Sequence, residues 1–270
     1  MEPEEVRAVF ADRGVVRLDG AFSAEAAERM RIAVWRYAKA KIGVQVDDPD
    51  SWPSDGWLPI SWKNLKRNRA FDVMVDNPTV TAALDAIFGS GGWQRPKPGA
   101  QVLFSTPTAD PWRLPDGWHM DCGFEQPTWP VFAVKLFAFA GDVAPRGGGT
   151  LVLPGSHHLV DEYRKRYDDP PPGGKQNWRP FLRHHPPLDL LLNAASCPDH
   201  GRSIVGERYD INGVPIDVLE LVGLPGDIVI THLHVFHASA PNTNDTPRQM
   251  LAKSIAALRR SAPYRRDCAP

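Results

Sequence analysis

A histidine and an aspartate two residues apart, His119 and Asp121, are the first side chains in the sequence whose types and spacing suit metal chemistry. On an extended backbone, residues i and i+2 point to the same face, so both side chains could reach one ion. The same pattern arises by chance in many chains, and a surface turn after Pro115-Asp116-Gly117 is the alternative. The pair therefore indicates a metal site only if a third ligand exists elsewhere.

Three histidines compete for the third position, in a segment where Gly226-Asp227 opens a predicted strand. They are His232, His234 and His237. Strand alternation places the first two on one face and His237 on the other, so the local pattern does not choose among them. A buried, hydrogen-bonded core histidine is the alternative for each, and we expect it for two of the three.

Arg248 favours His237 as the third ligand. It lies eleven residues beyond His237, across the turn from Pro241 to Pro247, so its strand can run back antiparallel beside the strand that carries His237. A guanidinium there would lie close to the metal and could pair bidentately with one carboxylate of a dicarboxylate. A plain salt bridge to a nearby acid is the alternative.

The elements that must position these residues are predicted to be helices first and strands afterwards. Val6, Val9 and Phe10 share a helical face, Ser23 caps a second helix, and Asn77-Pro78 begins a third. Short runs rich in branched or aromatic residues predict the strands Gln101–Ser105, Val131–Ala140, Thr150–Leu153, Val218–Val222, Ile228–Phe236 and Met250–Ala257. This order predicts an α+β fold in which N-terminal helices pack outside a β-sandwich or barrel.

Length and composition favour one domain over residues 1–270, with 42% hydrophobic residues and a net charge of -1. The balanced charge argues against nucleic-acid and membrane partners and favours a small-molecule substrate. The three cysteines cannot all pair, and no signal peptide or membrane span is visible, so we expect a cytoplasmic protein. An irregular insertion, residues 158–215, is either a lid or a solvated surface excursion. The oligomeric state stays open.

Several motifs together resemble the phytanoyl-CoA dioxygenase family in order and spacing. They are His119-x-Asp121, Leu153-Pro154-Gly155-Ser156-His157, Gly226-Asp227, His237-x-Ser239-x-Pro241-Asn242 and Arg248. The resemblance implies a double-stranded β-helix, or jelly roll, of the cupin-like type that uses Fe(II), 2-oxoglutarate and O2. It makes His119, Asp121 and His237 the iron ligands. It also assigns Arg248 and Ser239 to the distal carboxylate of 2-oxoglutarate, and Gln101, Phe104 and Thr150 to the cosubstrate pocket.

The resemblance further implies an oxygenase that converts 2-oxoglutarate to succinate and CO2 while it oxidises a small organic molecule. Hydroxylation is the default outcome, and desaturation, cyclisation and epimerisation stay open because they also begin with hydrogen abstraction. Seven of the nine tryptophans lie between residues 52 and 129, which suits either a bulky, ring-containing substrate or ordinary core packing. A zinc hydrolase with the same three ligands, or a cupin-like binding protein without catalysis, are the other hypotheses.

Overall fold

The structure is a computed structural model that describes residues 1–166, 182–183, 185–193, 199 and 201–258. Residues 167–181, 184, 194–198 and 200, within the region predicted to be an irregular insertion, lie outside the described residues. Among the described residues, no helix is both long and apolar enough to cross a membrane.

Three α-helices with clear end signals precede most of the strands. Helix α1 (Pro3–Arg13) ends at Gly14, whose φ of 67° is left-handed. Helix α2 (Ala24–Ile42) begins after Ser23, whose hydroxyl accepts the Ala26 N–H, and helix α3 (Pro78–Phe88) begins after Asn77, whose side chain accepts the Val80 N–H. The predicted caps at Ser23 and Asn77 are therefore confirmed. Short 3-10 helices cover Pro49–Ser51, Leu65–Arg67 and Arg69–Met74.

The strands of the described residues form three antiparallel sheets. In chain order they are β1 (Val15–Leu18), β2 (Gln101–Ser105), β3 (Ala133–Phe139), β4 (Thr150–Val152), β5 (Arg208–Ile211), β6 (Val214–Asp217), β7 (Leu219–Glu220), β8 (Ile228–His232), β9 (His237–Ser239) and β10 (Arg248–Ala256). The large sheet has the order β1-β8-β3-β10-β2, the second has the order β7-β4-β9, and β5 and β6 form a hairpin. The fold is therefore a mixed one with antiparallel sheets, as predicted.

Alternation along β3 shows what covers each face of the large sheet. Val134, Leu136 and Ala138 belong to a buried cluster that also contains residues of α1, α2 and α3. Phe137 and Phe139 point the other way, into a cluster that includes Val152 of the second sheet. The helices thus cover one face of the large sheet and the three-stranded sheet packs against the other. We call this second face the inner face.

Further helices lie in the part of the chain that was predicted to be irregular. Helix α4 (Ser156–Arg166) follows β4, and helix α5 (Pro186–Leu192) and a 3-10 helix, Arg202–Ile204, precede the β5–β6 hairpin. Residue Asp217, at the end of β6, accepts hydrogen bonds from Arg13 of α1 at 2.5 Å and from Arg208 of β5 at 2.6 Å. This ion-pair group ties the first helix to the hairpin.

Two predictions about the strands near the candidate ligands were wrong. The strand predicted as Ile228–Phe236 ends at His232, because the Val235 N–H turns back to the His232 carbonyl. His237 then begins β9, which pairs with β4 in the second sheet. The strand that Arg248 opens, β10, does not run beside β9 but pairs with β2 and β3 in the large sheet. Local alternation cannot reveal that the chain changes sheets between two strands.

Candidate metal centre and anion site

The side chains of His119, Asp121 and His237 converge at one point. Each offers one ligand atom, and these atoms all lie within 4.8 Å of one another. The Oδ2 of Asp121 lies 3.6 Å from Nε2 of His237, and the centroids of the two imidazole rings are 4.3 Å apart. Among the described residues, this is the one group of three or more metal-binding side chains with such spacing.

Backbone pairing holds the two histidines together. The His119 N–H donates to the His237 carbonyl, and the His237 N–H donates to the His119 carbonyl, both over 2.9 Å. The Asp121 N–H donates to the carbonyl of Leu233, in the turn before β9. The segment around His119 and Asp121 is thus joined to the edge of the second sheet by a short bridge.

Hydrogen bonds also fix the orientation of both imidazoles. Nδ1 of His119 donates to the Gly117 carbonyl over 2.7 Å, and Nδ1 of His237 donates to the Val235 carbonyl over 3.0 Å. A ring whose Nδ1 carries the proton keeps its lone pair on Nε2, which is the state that a metal ligand needs. Burial lowers the pKa of His237 despite the opposing charge of Asp121, so this imidazole is neutral near pH 7.

The two oxygens of Asp121 have different neighbours. Oδ2 faces the Nε2 of His237, whereas Oδ1 accepts a hydrogen bond from the Nζ of Lys135 over 3.0 Å. The side chains of Asp121 and Lys135 are 19% and 12% exposed, so this ion pair is largely shielded from water. Lys135 was not among the site residues predicted from the sequence. A lone lysine inside the otherwise apolar strand Val131–Ala140 was the signal that could have revealed it.

The other two candidate histidines belong to a buried cluster away from the three ligands. His232 Nε2 donates to the Thr128 carbonyl over 3.0 Å, and His234 Nε2 donates to the Gly123 carbonyl over 3.2 Å. The ring of His232 lies 5.3 Å from that of His234 and 5.3 Å from that of His157. The prediction that two of the three competing histidines are hydrogen-bonded core residues is therefore confirmed.

Arg248 is a buried guanidinium whose surroundings hold little negative charge. The residue is 1% exposed, its Nη1 donates to the Gly148 carbonyl, and its Nε has no partner. Burial lowers the pKa of Arg248 to about 10, opposed by the charge of Glu220. The Glu220 oxygens themselves accept the backbone N–H groups of Arg146 and Gly149 at 2.8 and 3.1 Å. Among the described residues, no carboxylate forms a salt bridge with Arg248.

Three hydroxyl residues lie on the strands around this guanidinium. Ser105 is the register partner of Arg248 on β2, and Thr150 is the register partner of Ser239 between β4 and β9. The Ala240 N–H donates to the Gly149 carbonyl, which places Thr150 and Ser239 beside the loop that accepts from Arg248. The buried hydroxyls of Ser105 and Thr150 have no hydrogen-bond partner, so they are free to bind a ligand.

The backbone at position 148 requires a glycine. Its φ is +79°, and a Cβ there would lie 2.9 Å from the Asn242 Cβ and 3.1 Å from the Ser105 Oγ. Any side chain would therefore displace the carbonyl that holds the Arg248 guanidinium. The glycine run 147–149 allows the two sheets to approach closely next to Arg248, Ser105 and Thr150. We call these three residues, with Ser239, the candidate anion site.

Two residues predicted for the cosubstrate pocket lie apart from this group. Phe104 points to the helical face of β2, where its ring centroid lies 5.0 Å from that of Trp35 and 5.9 Å from that of Trp62. Gln101 shares the inner face with Ser105 but lies at the other end of the strand, opposite Ala252, and is exposed. The structure thus places Ser239 and Thr150 beside the loop whose Gly148 carbonyl accepts from Arg248, and separates Phe104 from Arg248 by the thickness of the sheet.

The residues present fit a divalent metal ion next to an anion. Two imidazoles and one carboxylate are a donor set that suits Fe(II). A buried guanidinium without a carboxylate partner and two unpaired buried hydroxyls are the groups that a carboxylate would satisfy.

A comparison with models of protein families shows which family the chain belongs to. A model of the family "Phytanoyl-CoA dioxygenase (PhyH)" matches residues 10–250. The chain belongs to the phytanoyl-CoA dioxygenase family. The match includes all three candidate ligands and Arg248. A comparison with curated proteins found none that matches the chain.

Solved structures share the fold of this family member. The epimerase SnoN, in complex with Fe3+, alpha ketoglutarate and nogalamycin RO, is 17% identical with a TM-score of 0.52 over 94% of this chain and 83% of its own. The non-heme monooxygenase ThoJ, in its apo form, is 15% identical with a TM-score of 0.52 over 93% and 77%. AviO1 from Streptomyces viridochromogenes Tue57 is 16% identical with a TM-score of 0.50 over 97% of each chain.

Proposed function

We propose that this protein is a non-haem Fe(II)- and 2-oxoglutarate-dependent oxygenase, with His119, Asp121 and His237 as the iron ligands. Family membership supports an Fe(II)- and 2-oxoglutarate-dependent enzyme, and the convergence of the three side chains supports the assignment of the ligands. The observation that carries the cosubstrate assignment is Arg248, because a fully buried guanidinium with no carboxylate partner among the described residues calls for an anionic ligand.

The strand order supports a double-stranded β-helix. In this proposal β2, β10, β3 and β8 form one side of the jelly roll, and the bridge at His119 with β9, β4 and β7 forms the other. His237 and Arg248 then lie on consecutive strands that belong to opposite sheets, and both face the space between them. This arrangement explains how Arg248 serves the metal site although β10 does not pair with β9.

Each group around the cosubstrate has a distinct task. Arg248 binds the distal carboxylate of 2-oxoglutarate. The hydroxyls of Ser239 and Thr150 donate to the same carboxylate or to a water molecule beside it. The apolar residues between the sheets, Phe137 among them, exclude water from the reacting atoms. We also propose that Gln101 lies at the rim of the pocket, since it is exposed on the inner face, and that Phe104 contributes only by packing behind β2.

Iron held by His119, Asp121 and His237 would supply O2 activation coupled to decarboxylation of 2-oxoglutarate, which would yield succinate, CO2 and oxidation of a C–H bond in the substrate. We propose hydroxylation of a small organic molecule as the outcome. Epimerisation is the second candidate, because SnoN, which shares the fold, is an epimerase. Both outcomes begin with removal of one hydrogen atom, so the choice depends on how the substrate is held.

The remaining proposals concern the setting of the enzyme. We propose that it acts in the cytoplasm on a free small-molecule substrate, as a single domain. In the described part of the region 158–215, helix α4 would cover the substrate, since it directly follows β4 of the site and Arg164 Nε donates to the Phe124 carbonyl over 2.6 Å. That contact joins α4 to the segment just after the metal ligand Asp121.

Anaerobic calorimetry tests the cosubstrate assignment. 2-Oxoglutarate is titrated into the Mn2+-loaded protein, and 2-oxobutyrate, which lacks the distal carboxylate, is titrated in parallel. We expect wild type to prefer 2-oxoglutarate by roughly 100-fold, and Arg248→Met to abolish that preference while it keeps the metal. Arg146→Met, at an exposed arginine of the adjoining loop, is the matched control and should behave as wild type.

Turnover separates this function from the alternatives. With Fe(II) and O2, wild type should release succinate slowly even without its substrate, and His119→Ala should not. Binding of 2-oxoglutarate without any succinate would favour a cupin-like binding protein. No binding heat for 2-oxoglutarate would contradict the proposal and favour a zinc hydrolase.

A further inference from the structure

The ammonium group of Lys135 lies within the metal site but outside the set of ligands. β3 presents two side chains to this region from its inner face: Phe137, whose ring centroid is 6.0 Å from that of His237, and Lys135, whose Nζ is 3.0 Å from Asp121 Oδ1. The backbone of Lys135 is fixed on both sides, opposite Thr231 of β8 and Ser254 of β10. The lysine therefore approaches Asp121 from a rigid strand in the middle of the sheet.

We propose that Lys135 is a positioning residue that makes Asp121 bind the metal through Oδ2 alone. This inference rests on the proposed function. A free carboxylate can take two positions around a metal ion, one for each oxygen, whereas Oδ1 of Asp121 is occupied by the lysine. With Oδ1 held by Lys135, Asp121 would offer a metal one donor atom instead of two.

The charge of Lys135 acts in the same direction. The metal site contains one carboxylate, Asp121, and Lys135 offsets its charge within a region that is largely shielded from water. A neutralised carboxylate attracts a dication less, and an additional cation attracts a dianionic cosubstrate more. Lys135 therefore weakens binding of the bare metal and strengthens binding of 2-oxoglutarate to the metal-loaded site.

These opposite effects distinguish a positioning role from a structural one. In Lys135→Met, we expect the affinity for Co2+ to rise by roughly tenfold and the affinity of the Co2+-loaded protein for 2-oxoglutarate to fall by roughly tenfold. The visible absorption of bound Co2+ should also change, because Asp121 can then supply both oxygens. Lys135→Gln keeps a donor without the charge and should restore the wild-type absorption but only part of the cosubstrate affinity.

The control is Lys39→Met, which removes a charge from an exposed position on α2, across the large sheet from the site. It should change neither affinity. If Lys135→Met weakens both ligands together and lowers the melting temperature, the lysine is only structural and the proposal is wrong. Unchanged Co2+ affinity and absorption would also contradict it.

The two proposals fail in different ways. If wild type does not bind 2-oxoglutarate at all, the proposed function is wrong. The effect of Lys135→Met on Co2+ affinity and absorption would still test the role of Lys135 toward Asp121.

Discussion

The main chains of His119 and His237 form a reciprocal pair of hydrogen bonds, each 2.9 Å long, although 118 positions separate the two residues in the chain. Because the backbones are joined directly, the spacing of the two Nε2 atoms is set by the bridge and does not require an ion. The candidate site is therefore largely preformed, which would reduce the conformational entropy that metal binding must overcome.

Metal binding should depend on His237 and not on its neighbours in sequence. We expect His237→Ala to reduce Mn2+ affinity by at least roughly 100-fold, since it removes one of three protein ligands. His234→Gln, three residues away, should keep wild-type affinity because its ring belongs to the buried histidine cluster. Isothermal titration of Mn2+ into each protein measures the difference, and equal losses in the two variants would refute the ligand assignment.

The buried histidine cluster should make the protein sensitive to acid. Burial lowers the pKa of His157 to about 2, of His232 to about 3 and of His234 to about 4, from 6.5. Between these values and 6.5 the unfolded chain binds more protons than the folded one, so stability falls as the pH drops below about 6.5. Each histidine contributes up to about 1.4 kcal/mol per pH unit.

Urea unfolding of the metal-free protein between pH 7.5 and 4.5 measures this slope. In His234→Gln, the slope of the unfolding free energy against pH should be smaller by up to about 1.4 kcal/mol per pH unit, whatever the effect of the substitution on stability at pH 7.5. His237 is present in both proteins, so the difference between them reports on His234 and on its charge coupling to His232 and His157. An identical slope in wild type and variant would show that His234 is not buried in its neutral form.

Local signals in the sequence predicted the helix starts, whereas the site depends on pairings that the sequence does not display. Ser23 and Asn77 are caps because each bonds an N–H three residues away, and such contacts can be read from neighbouring residues. The register of Thr150 with Ser239, and the placement of Arg248 in the opposite sheet, join segments about 90 to 100 residues apart. Motif resemblance identified these residues, but only the fold shows why they meet.

Asp217 should be important for stability because two arginines converge on it. Burial alone would raise its pKa, but the hydrogen bonds and charges of Arg208 and Arg13 outweigh burial and lower it. Asp217→Asn leaves both guanidinium groups without a carboxylate, and Arg13 also donates to the Pro215 carbonyl over 2.7 Å. We expect Asp217→Asn to lower the free energy of unfolding by about 2 kcal/mol at pH 7. The loss should be smaller at pH 3, because the carboxylate of Asp217 becomes protonated as the pH falls.

Chemical denaturation at the two pH values checks this expectation. Asp210→Asn, at the exposed turn of the same hairpin, is the matched control and should cost far less, since its Oδ1 only accepts the Gly213 N–H. A comparable loss in both variants would mean that the hairpin turn, and not the ion-pair group, determines the stability.

The hydroxyl of Thr150 should strengthen 2-oxoglutarate binding and lower the stability of the ligand-free protein. Thr150 is 2% exposed and its Oγ1 has no hydrogen-bond partner, which is a cost in the ligand-free protein. Thr150→Val replaces the hydroxyl with a methyl group of similar size. The free energy of unfolding should stay the same or rise by up to about 1 kcal/mol, while 2-oxoglutarate affinity should fall by roughly five- to tenfold.

A second buried threonine provides the control for this pair of effects. Thr128 is 0% exposed and its Oγ1 also lacks a partner, but its carbonyl accepts from His232 in the histidine cluster. Thr128→Val should therefore change stability in the same direction and leave 2-oxoglutarate affinity unaltered, as thermal unfolding and calorimetry can measure. If Thr150→Val binds 2-oxoglutarate as tightly as wild type does, Thr150 takes no part in the cosubstrate pocket, and the anion site consists of Arg248 with its serine neighbours.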